Sequence, residues 1–205
     1  MNVKLNFINE TNATDNTRFV IFQKNIASGF DETVVAWRVI EHIGQGDFHP
    51  FEFPANVEMG ASDAWGNHMP AMFAENGQLF HVVRDTSGDV LKLVGEGSAP
   101  NEVQLRNDLP QGAINANVYK NGKLLATKTG VAPGEKAVFE FHPTIWVGAV
   151  AEVVEGEVMN SAIIANIETR FSLQDVSSAD IVATGGGSGP QAMPFTFSLK
   201  NIKNT

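Results

Sequence analysis

Residues 117–126, "NVYKNGKLLA", indicate the fold class of this chain. The dipeptide Asn121-Gly122 is preferred by type I′ turns, in which both central residues adopt a positive φ. Apolar residues that alternate with polar ones flank this dipeptide, so the segment predicts a tight hairpin between strands at 114–119 and 124–127. We therefore expect neighbouring segments of the chain to be strands as well.

Short apolar runs with a period of two residues recur along the chain. Val3, Leu5 and Phe7 alternate with polar residues at the N-terminus, and residues 144–154 form a longer run of the same kind. We find about a dozen such segments at the spacing that is typical of sandwiches and barrels. A single helix is expected at 161–168, with Asn160 or Ser161 as its N-cap.

The stretch 115–141, "NANVYKNGKLLATKTGVAPGEKAVFEF", adds a second turn at Pro133-Gly134. This turn is followed by a strand that would place Ala137, Phe139 and Phe141 on one face. In these features the stretch resembles strands of immunoglobulin-like sandwich modules, which often carry a Gly-Lys strand, a Pro-Gly-Glu turn and a Val/Phe strand. The resemblance implies a sandwich and implies nothing about function.

These patterns predict an all-β fold that consists of a single antiparallel β-sandwich with immunoglobulin-like or jelly-roll character. A closed β-barrel is the alternative. We expect one domain over residues 1–205, with a long aromatic-rich loop region at 42–78 and a flexible Gly-rich loop at 184–190. The length of 205 residues lies within the range of a single β domain.

Composition excludes several classes of function. The net charge of −9 argues against binding to nucleic acid and to anionic lipid. Without cysteine the chain has neither disulfides nor a thiolate site. No apolar run is long enough for a transmembrane segment, and the N-terminus lacks the apolar region of a signal peptide. We expect a cytoplasmic protein, or one exported without a signal peptide of that kind.

Two short motifs contain metal-ligating residue types. Asp47 and His49 lie two residues apart in "GQGDFHPFEFP", and Asp63 and His68 lie in "DAWGNHMP". Together they are weak candidates for a metal site, as a metal-dependent hydrolase would need. The alternative that we favour is an aromatic-anchored loop, because prolines flank the three phenylalanines of the first motif. We expect no cofactor and find no catalytic constellation.

Several predicted strands are apolar on both faces, which is unusual in an antiparallel sandwich. In the segment 144–154, Trp146, Val150 and Val154 lie opposite the presumed core face, and Trp37 lies in a second strand of this kind. Either the stretch 42–78 covers these faces, or another protein chain does. Leaving them in water would forgo on the order of 4–7 kcal/mol.

Three functional hypotheses follow from these observations. The first is a self-associating structural or protein-interaction module, a homo-oligomer or larger assembly, with Trp146, Val150, Val154, Trp37 and Trp65 as its interaction surface. The second is a lectin-like module in which Trp65, Trp37 or Trp146 stacks on a glycan. The third is the metal-dependent hydrolase. The first hypothesis is favoured because the apolar faces must be shielded from water. The low charge of the surface also means that little electrostatic repulsion opposes association.

Overall fold

The computed structural model describes residues 2–13, 17–27 and 33–205. Among these residues, strands account for 58% and helices for 4%. The prediction of an all-β fold is therefore confirmed. The physical basis is the two-residue period, because alternating residues point to opposite faces of a strand and bury one face of a sheet.

The described residues form sixteen strands and one short α-helix. The helix α1 spans Ser161–Ala165, and a 3-10 turn spans Gly189–Gln191. The strands are β1 (Val3–Asn9), β2 (Arg18–Phe22), β3 (Arg38–Ile40), β4 (Phe48–Phe53), β5 (Val57–Asp63), β6 (His68–Ala74), β7 (Gln78–Asp85), β8 (Gly88–Glu96), β9 (Val103–Asn107), β10 (Ile114–Lys120), β11 (Lys123–Val131), β12 (Lys136–Phe139), β13 (Thr144–Val150), β14 (Arg170–Ser172), β15 (Val176–Gly186) and β16 (Met193–Asn204).

The strands divide between two compact units, each with two four-stranded sheets. The first unit comprises residues up to 23, 35–55 and 143–205, and the second comprises 24–34 and 56–142. Sheets 1 and 2 of the first unit have the orders β16-β15-β1-β4 and β14-β13-β2-β3. Sheets 3 and 4 of the second unit have the orders β11-β10-β5-β6 and β12-β9-β7-β8.

In the first unit, sheets 1 and 2 pack face to face through aromatic side chains. The rings of Phe7 on β1 and Phe19 on β2 have centroids 4.8 Å apart. Phe19 also meets Phe197 of β16 edge to face at 6.2 Å. Because these rings belong to different sheets and Phe7 and Phe19 are buried, the unit has the layered core of a sandwich.

In the second unit, the cores of sheets 3 and 4 are formed by alternate residues of their central strands. Met59 and Val118 of sheet 3 and Phe80 and Leu105 of sheet 4 are fully buried. Asn107, at the end of β9, donates from Nδ2 to the carbonyl oxygen of Val131 on β11 at 2.9 Å. This buried bond links the two sheets.

The sheets are consistent with the predicted β-sandwich, although two strand pairs are parallel. Among the described residues, β1 pairs with β15 and β7 pairs with β9 in parallel, whereas the other strand pairs are antiparallel. These residues form four sheets with two edge strands each, so none closes on itself as the barrel alternative required. The single domain over 1–205 stays a prediction.

The predicted loop region 42–78 consists largely of strands, because it contains β4, β5 and β6. In the Gly-rich segment 184–190, residues 184–186 belong to β15, and a 3-10 turn begins at Gly189. The prediction for 42–78 was wrong because Pro50 and Pro54 were interpreted as signs of an irregular segment. Pro50 lies in the edge strand β4, where a missing N–H costs no ladder hydrogen bond, and Pro70 lies in the edge strand β6.

Local turn and cap signals were predicted correctly. Asn121 and Gly122 both have a positive φ, at 55° and 69°, as a type I′ hairpin requires. Asn160 caps α1 by accepting a hydrogen bond from the backbone N–H of Ala162 at 2.8 Å. Of the described part of the chain, no helix has the length and apolar character needed to cross a membrane.

Candidate functional site

The hairpin between β5 and β6 presents Trp65 to solvent. Its side chain is 90% exposed, more than any other large apolar residue described. Asp63 Oδ1 accepts hydrogen bonds from the backbone N–H of Trp65 at 2.8 Å and of Asn67 at 2.9 Å. Asp63 Oδ2 accepts a third from Asn67 Nδ2 at 2.7 Å. These bonds fix the backbone that carries the indole.

The same hydrogen bonds keep the Asp63 carboxyl ionised. They lower its pKa below the ordinary value, with the Asn67 side chain as the largest cause and the backbone N–H of Asn67 next. A carboxylate accepts hydrogen bonds better than a neutral carboxyl group does. The carboxylate therefore helps to hold the turn at neutral pH, and this contribution weakens when acid protonates Asp63.

The outer face of sheet 3 carries a row of amide and hydroxyl groups. Asn115 lies opposite Ser62, and Asn117 lies opposite Thr127. Thr127 Oγ1 donates to Asn117 Oδ1 at 2.8 Å, and Asn117 Nδ2 donates to Ser62 Oγ at 3.3 Å. The side chains of the row are therefore held in fixed positions by one another.

Aromatic rings flank this polar row. The ring of Tyr119 occupies the space above Gly60, where an added Cβ would approach it to 2.8 Å. Phe73, on the edge strand β6, is 56% exposed and lies opposite Glu58. Burial raises the pKa of Tyr119, so its hydroxyl remains a neutral donor and acceptor.

Trp65 and Phe73 are the exposed aromatic rings of this region, whereas Ser62 and Asn117 of the polar row are only 4% and 5% exposed. Exposed aromatic faces can pack against apolar C–H groups of a ligand, and exposed amides and hydroxyls can exchange hydrogen bonds with it. His68, which begins β6, is exposed and lies opposite Ser62 at the hairpin end of the same face.

The predicted interaction surface is only partly exposed. Trp37 is completely buried, and its ring meets Phe51 at 6.1 Å and Phe53 at 5.7 Å, both edge to face. The prediction is wrong for Trp37, because the stretch 42–78 covers it from within the chain. The Arg38 guanidinium lies over the same indole at 5.4 Å.

The outer face of sheet 2, to which Trp146 and Val150 belong, is also covered within the chain. A Cβ added at Gly148 would meet Ile167 at 2.6 Å, so Ile167 lies directly against the strand. Trp146 is partly exposed and stacks on the buried Phe22 at 6.1 Å. Val150 is partly exposed as well.

Val154 lies outside the strand in which it was predicted. β13 ends at Val150, and Val154 belongs to the loop that follows, where its side chain is 50% exposed. Val158 of the same loop is 54% exposed. Trp65 and Val154 are thus the two residues of the predicted surface that are exposed.

The four weak metal candidates do not form a metal site. Asp47 Oδ2 accepts the backbone N–H of Gly44, and Asp63 is engaged by the hairpin turn. Within residues 2–13, 17–27 and 33–205, no group of three His, Asp or Glu side chains can hold an ion. The aromatic-anchor interpretation is correct for Phe51 and Phe53, whereas Phe48 is 69% exposed.

Lys120 is a buried ionisable residue that the sequence did not single out. Its side chain is 3% exposed, and burial lowers its pKa to about 7. Its position could have been found from the alternation of β10, because Ala116, Val118 and Lys120 share the core-facing side.

Another ionisable cluster occupies sheet 4. His81 Nδ1 lies 2.5 Å from Asp108 Oδ2, and Arg106 Nε lies 2.8 Å from Asp108 Oδ1. His81 lies on β7, and Asp108 directly follows the end of β9.

Comparison with known proteins adds no relative to these observations. No family model, no curated protein and no solved structure matches the chain. The functional conclusion accordingly depends on the side chains described above.

Proposed function

We propose that this protein is a lectin-like carbohydrate-binding module. The observation that carries the proposal is Trp65, which is 90% exposed on a hairpin braced by Asp63. An indole left in water forgoes about 4–6 kcal/mol relative to full burial, at ~25 cal/mol per Å². A rigid turn that presents such a side chain is best explained by a ligand that covers it.

The neighbours of Trp65 favour a sugar over a protein as this ligand. Ala64, Gly66, Asn67 and His68 are all exposed, and all are small or polar. Protein hot spots instead cluster at the centre of well-packed patches that exclude water. A single aromatic ring beside amide and imidazole groups suits a pyranose, which has one apolar face and a rim of hydroxyl groups.

The three hydrogen bonds that Asp63 accepts, called the brace of the hairpin below, also contribute to affinity. Because three hydrogen bonds already fix the turn, binding does not have to order the backbone of Trp65. Asn115 and Thr127 are the partly exposed members of the polar row on sheet 3. We therefore propose that the ligand contacts the hairpin and these two side chains.

A glycan array followed by calorimetry tests this proposal. We expect binding to neutral glycans, and we expect Trp65→Ala to weaken it by about tenfold or more, as removal of a central aromatic contact does. Phe48→Ala is the matched control, because Phe48 is an exposed aromatic residue outside sheet 3. The proposal fails if a broad array gives no signal, or if both variants bind as the wild type does.

Self-association is a second proposed function, favoured by the loop after β13. Val154 and Val158 are half-exposed there, and the backbone N–H of Glu157 donates to the Val154 carbonyl at 3.1 Å, which closes a turn. Two valines on one turn can pack against the same turn of a second copy. Analytical ultracentrifugation of the wild type and of Val158→Asp decides it: a monomer at high micromolar concentration excludes this function.

A further inference from the structure

A polar cavity of about 300 Å³ lies on the outer face of sheet 1, in the first unit. Strands β1, β15 and β16 form its walls, and Pro50 of β4 closes one side. This volume lies at the lower end of the range for small-molecule sites. The polar side chains that line it are Lys4, Asn6, Ser178, Asp180, Asn201 and Lys203.

Asp180 is held by two amides within this cavity. Asn201 Nδ2 donates to Asp180 Oδ2 at 2.6 Å, and Asn6 Nδ2 donates to Asp180 Oδ1 at 3.4 Å. These bonds orient the Asn6 amide, so its Oδ1 atom faces away from Asp180. Asn6 Oδ1 is buried and accepts no hydrogen bond from the described residues.

Asn6 Oδ1 has almost no accessible surface, so a ligand in the cavity does not reach this atom. The hydrogen-bonding groups that a ligand can reach are the Asp180 carboxylate, which is partly exposed, and the Asn201 amide, which is exposed. A ligand hydroxyl group can donate to the first or accept from the second.

The position of Asn201 depends on a bulge in β16. Ser178 pairs with Lys203 and Asp180 pairs with Lys200, so two steps on β15 correspond to three on β16. The extra residue gives Asn201 a φ of 50°, an uncommon conformation for a residue other than glycine. A bulge changes the direction in which side chains point, and this one brings the Asn201 amide within hydrogen-bond distance of Asp180.

Two lysines give the other end of the cavity a positive charge. Lys4 lies opposite Ser178, which lies opposite Lys203, so the three form one row across the sheet. Within the part of the chain that the structure describes, no carboxylate forms an ion pair with Lys4 or Lys203. Glu52 on β4 lies opposite Lys4, outside the cavity lining, and accepts a hydrogen bond from Asn2 Nδ2 at 3.4 Å.

The cavity therefore has two chemically different rows. Lys4, Ser178 and Lys203 form a cationic row, whereas Asn6 and Asp180 form a row of hydrogen-bond acceptors. The rows are two residues apart along each strand, which corresponds to about 7 Å. A ligand that fits both rows carries an anionic group at one end and hydroxyl groups at the other.

We propose that this cavity binds a monosaccharide that bears a carboxylate or phosphate group. The anionic group lies between the ammonium groups of Lys4 and Lys203. A hydroxyl group donates to the Asp180 carboxylate, and a second accepts from the Asn201 amide. The site lies in the first unit and does not depend on the hairpin of Trp65.

Calorimetry with glucuronate, glucose 6-phosphate, glucose and acetate tests this proposal. Glucose lacks the anionic group and acetate lacks the hydroxyl groups. We expect at least one of the two sugar anions to bind about tenfold or more tightly than either control, as a charged hydrogen bond allows. Equal affinity for all four compounds, or no binding at about 10 mM, overturns the proposal.

Two lysine variants distinguish specific binding of the sugar anion from nonspecific attraction of an anion to positive charge. Lys203→Gln removes a charge from the cavity, whereas Lys123→Gln removes one from sheet 3, in the second unit. We expect the first to weaken binding of the sugar anion about tenfold and the second to leave it unchanged. Equal losses in both variants would show nonspecific electrostatics and overturn the site.

The test is independent of the glycan proposal. Trp65→Ala should leave the sugar-anion affinity unchanged, and Lys203→Gln should leave neutral-glycan binding unchanged. If Trp65→Ala abolishes binding of both ligand classes, the two sites are not separate and the cavity proposal fails.

Discussion

The outer face of sheet 2 and the outer face of sheet 3 differ in what lies on them. On sheet 2, Ile167 packs against Gly148, and Val20 and Phe22 are fully buried although they point away from the core. On sheet 3, Ser62 and Asn117 of the polar row are buried, Asn115, Thr127 and Tyr119 are partly exposed, and the hairpin beside the row presents Trp65. The apolar outer face of sheet 2 is covered by its own chain, whereas the hairpin of sheet 3 is available to a ligand.

The contrast shows that an apolar side chain on an outer face has two different explanations. Trp37 and Trp65 are both tryptophans in β-rich segments, yet one is completely buried and the other is 90% exposed. For Trp37 the cover comes from Phe51 and Phe53 of β4. For Trp65 the hairpin turn holds the indole away from the sheet.

Removal of the covered indole should have the largest effect. We expect Trp37→Ala to reduce the free energy of unfolding by about 3–5 kcal/mol, because it leaves a cavity between Phe51 and Phe53. Urea denaturation measures this loss. Trp37→Phe should cost less, since part of the ring contact remains, and a Trp37→Ala protein of wild-type stability would contradict the packing described.

A methyl group added under the covering segment should have the next largest effect. Gly148→Ala places a Cβ 2.6 Å from the buried Ile167, and we expect a loss of about 1–3 kcal/mol in the free energy of unfolding from overpacking. Thermal or urea unfolding measures it. The double variant with Ile167→Ala should be less sensitive to the added methyl group.

Gly60→Ala is the matched control on the open face of sheet 3. There the added Cβ meets the Tyr119 ring at 2.8 Å, and this ring is partly exposed and can swing outward. The loss should therefore be smaller than at Gly148. If both glycine variants lose the same stability, the distinction between a covered face and an open face is wrong.

Weakening the brace of the hairpin should reduce ligand affinity without unfolding the protein. Asp63→Asn loses the bond from Asn67 Nδ2, and we expect neutral-glycan affinity to fall about three- to tenfold because binding must then order the turn. Calorimetry measures the change. Asp85→Asn, in the β7–β8 hairpin, is the control and should bind as the wild type does.

The pH dependence of binding tests the same brace. The pKa of Asp63 is lowered in the folded protein, so its contribution is complete above the usual carboxyl pKa and is lost as the pH falls through the lowered pKa. Glycan affinity should therefore be constant near neutral pH and decline only in strong acid. A decline that already begins near neutral pH would contradict the role given to Asp63.

The smallest effect on stability should come from Trp65 itself. We expect Trp65→Ala to change the free energy of unfolding by less than about 0.5 kcal/mol, since an exposed side chain loses little packing. The same urea titration that is used for Trp37→Ala measures it. A large loss would mean that the indole packs on the protein, and it would remove the main support for the proposed function.

Much of the local structure could be predicted from the sequence because it depends on neighbouring residues. Asn121-Gly122 adopts the conformation that its own residues favour, and Asn160 caps the helix that follows it. The region 42–78 was harder, because prolines in the edge strands β4 and β6 resemble loop signals unless the sheet order is known.

The candidate site was only partly predictable. Trp65 was among the proposed interaction residues, but nothing in its local pattern distinguished it from Trp37. The polar row of Ser62, Asn115, Asn117 and Thr127 comes from three strands, and its members meet only through the register of β5, β10 and β11. Register is fixed by contacts between distant segments.

By itself, the sequence determined an all-β chain, its hairpins, its helix cap and the presence of strands that are apolar on both faces. The tertiary structure decided the four sheets, the parallel pairing of β1 with β15, and which apolar faces are covered. The physical reason is that the alternation of side chains along a strand specifies its two faces. The side chains that pack against an outer face, in contrast, come from residues far along the chain. Ile167 on Gly148 and Phe51 on Trp37 are contacts of this kind, and a local pattern does not encode them.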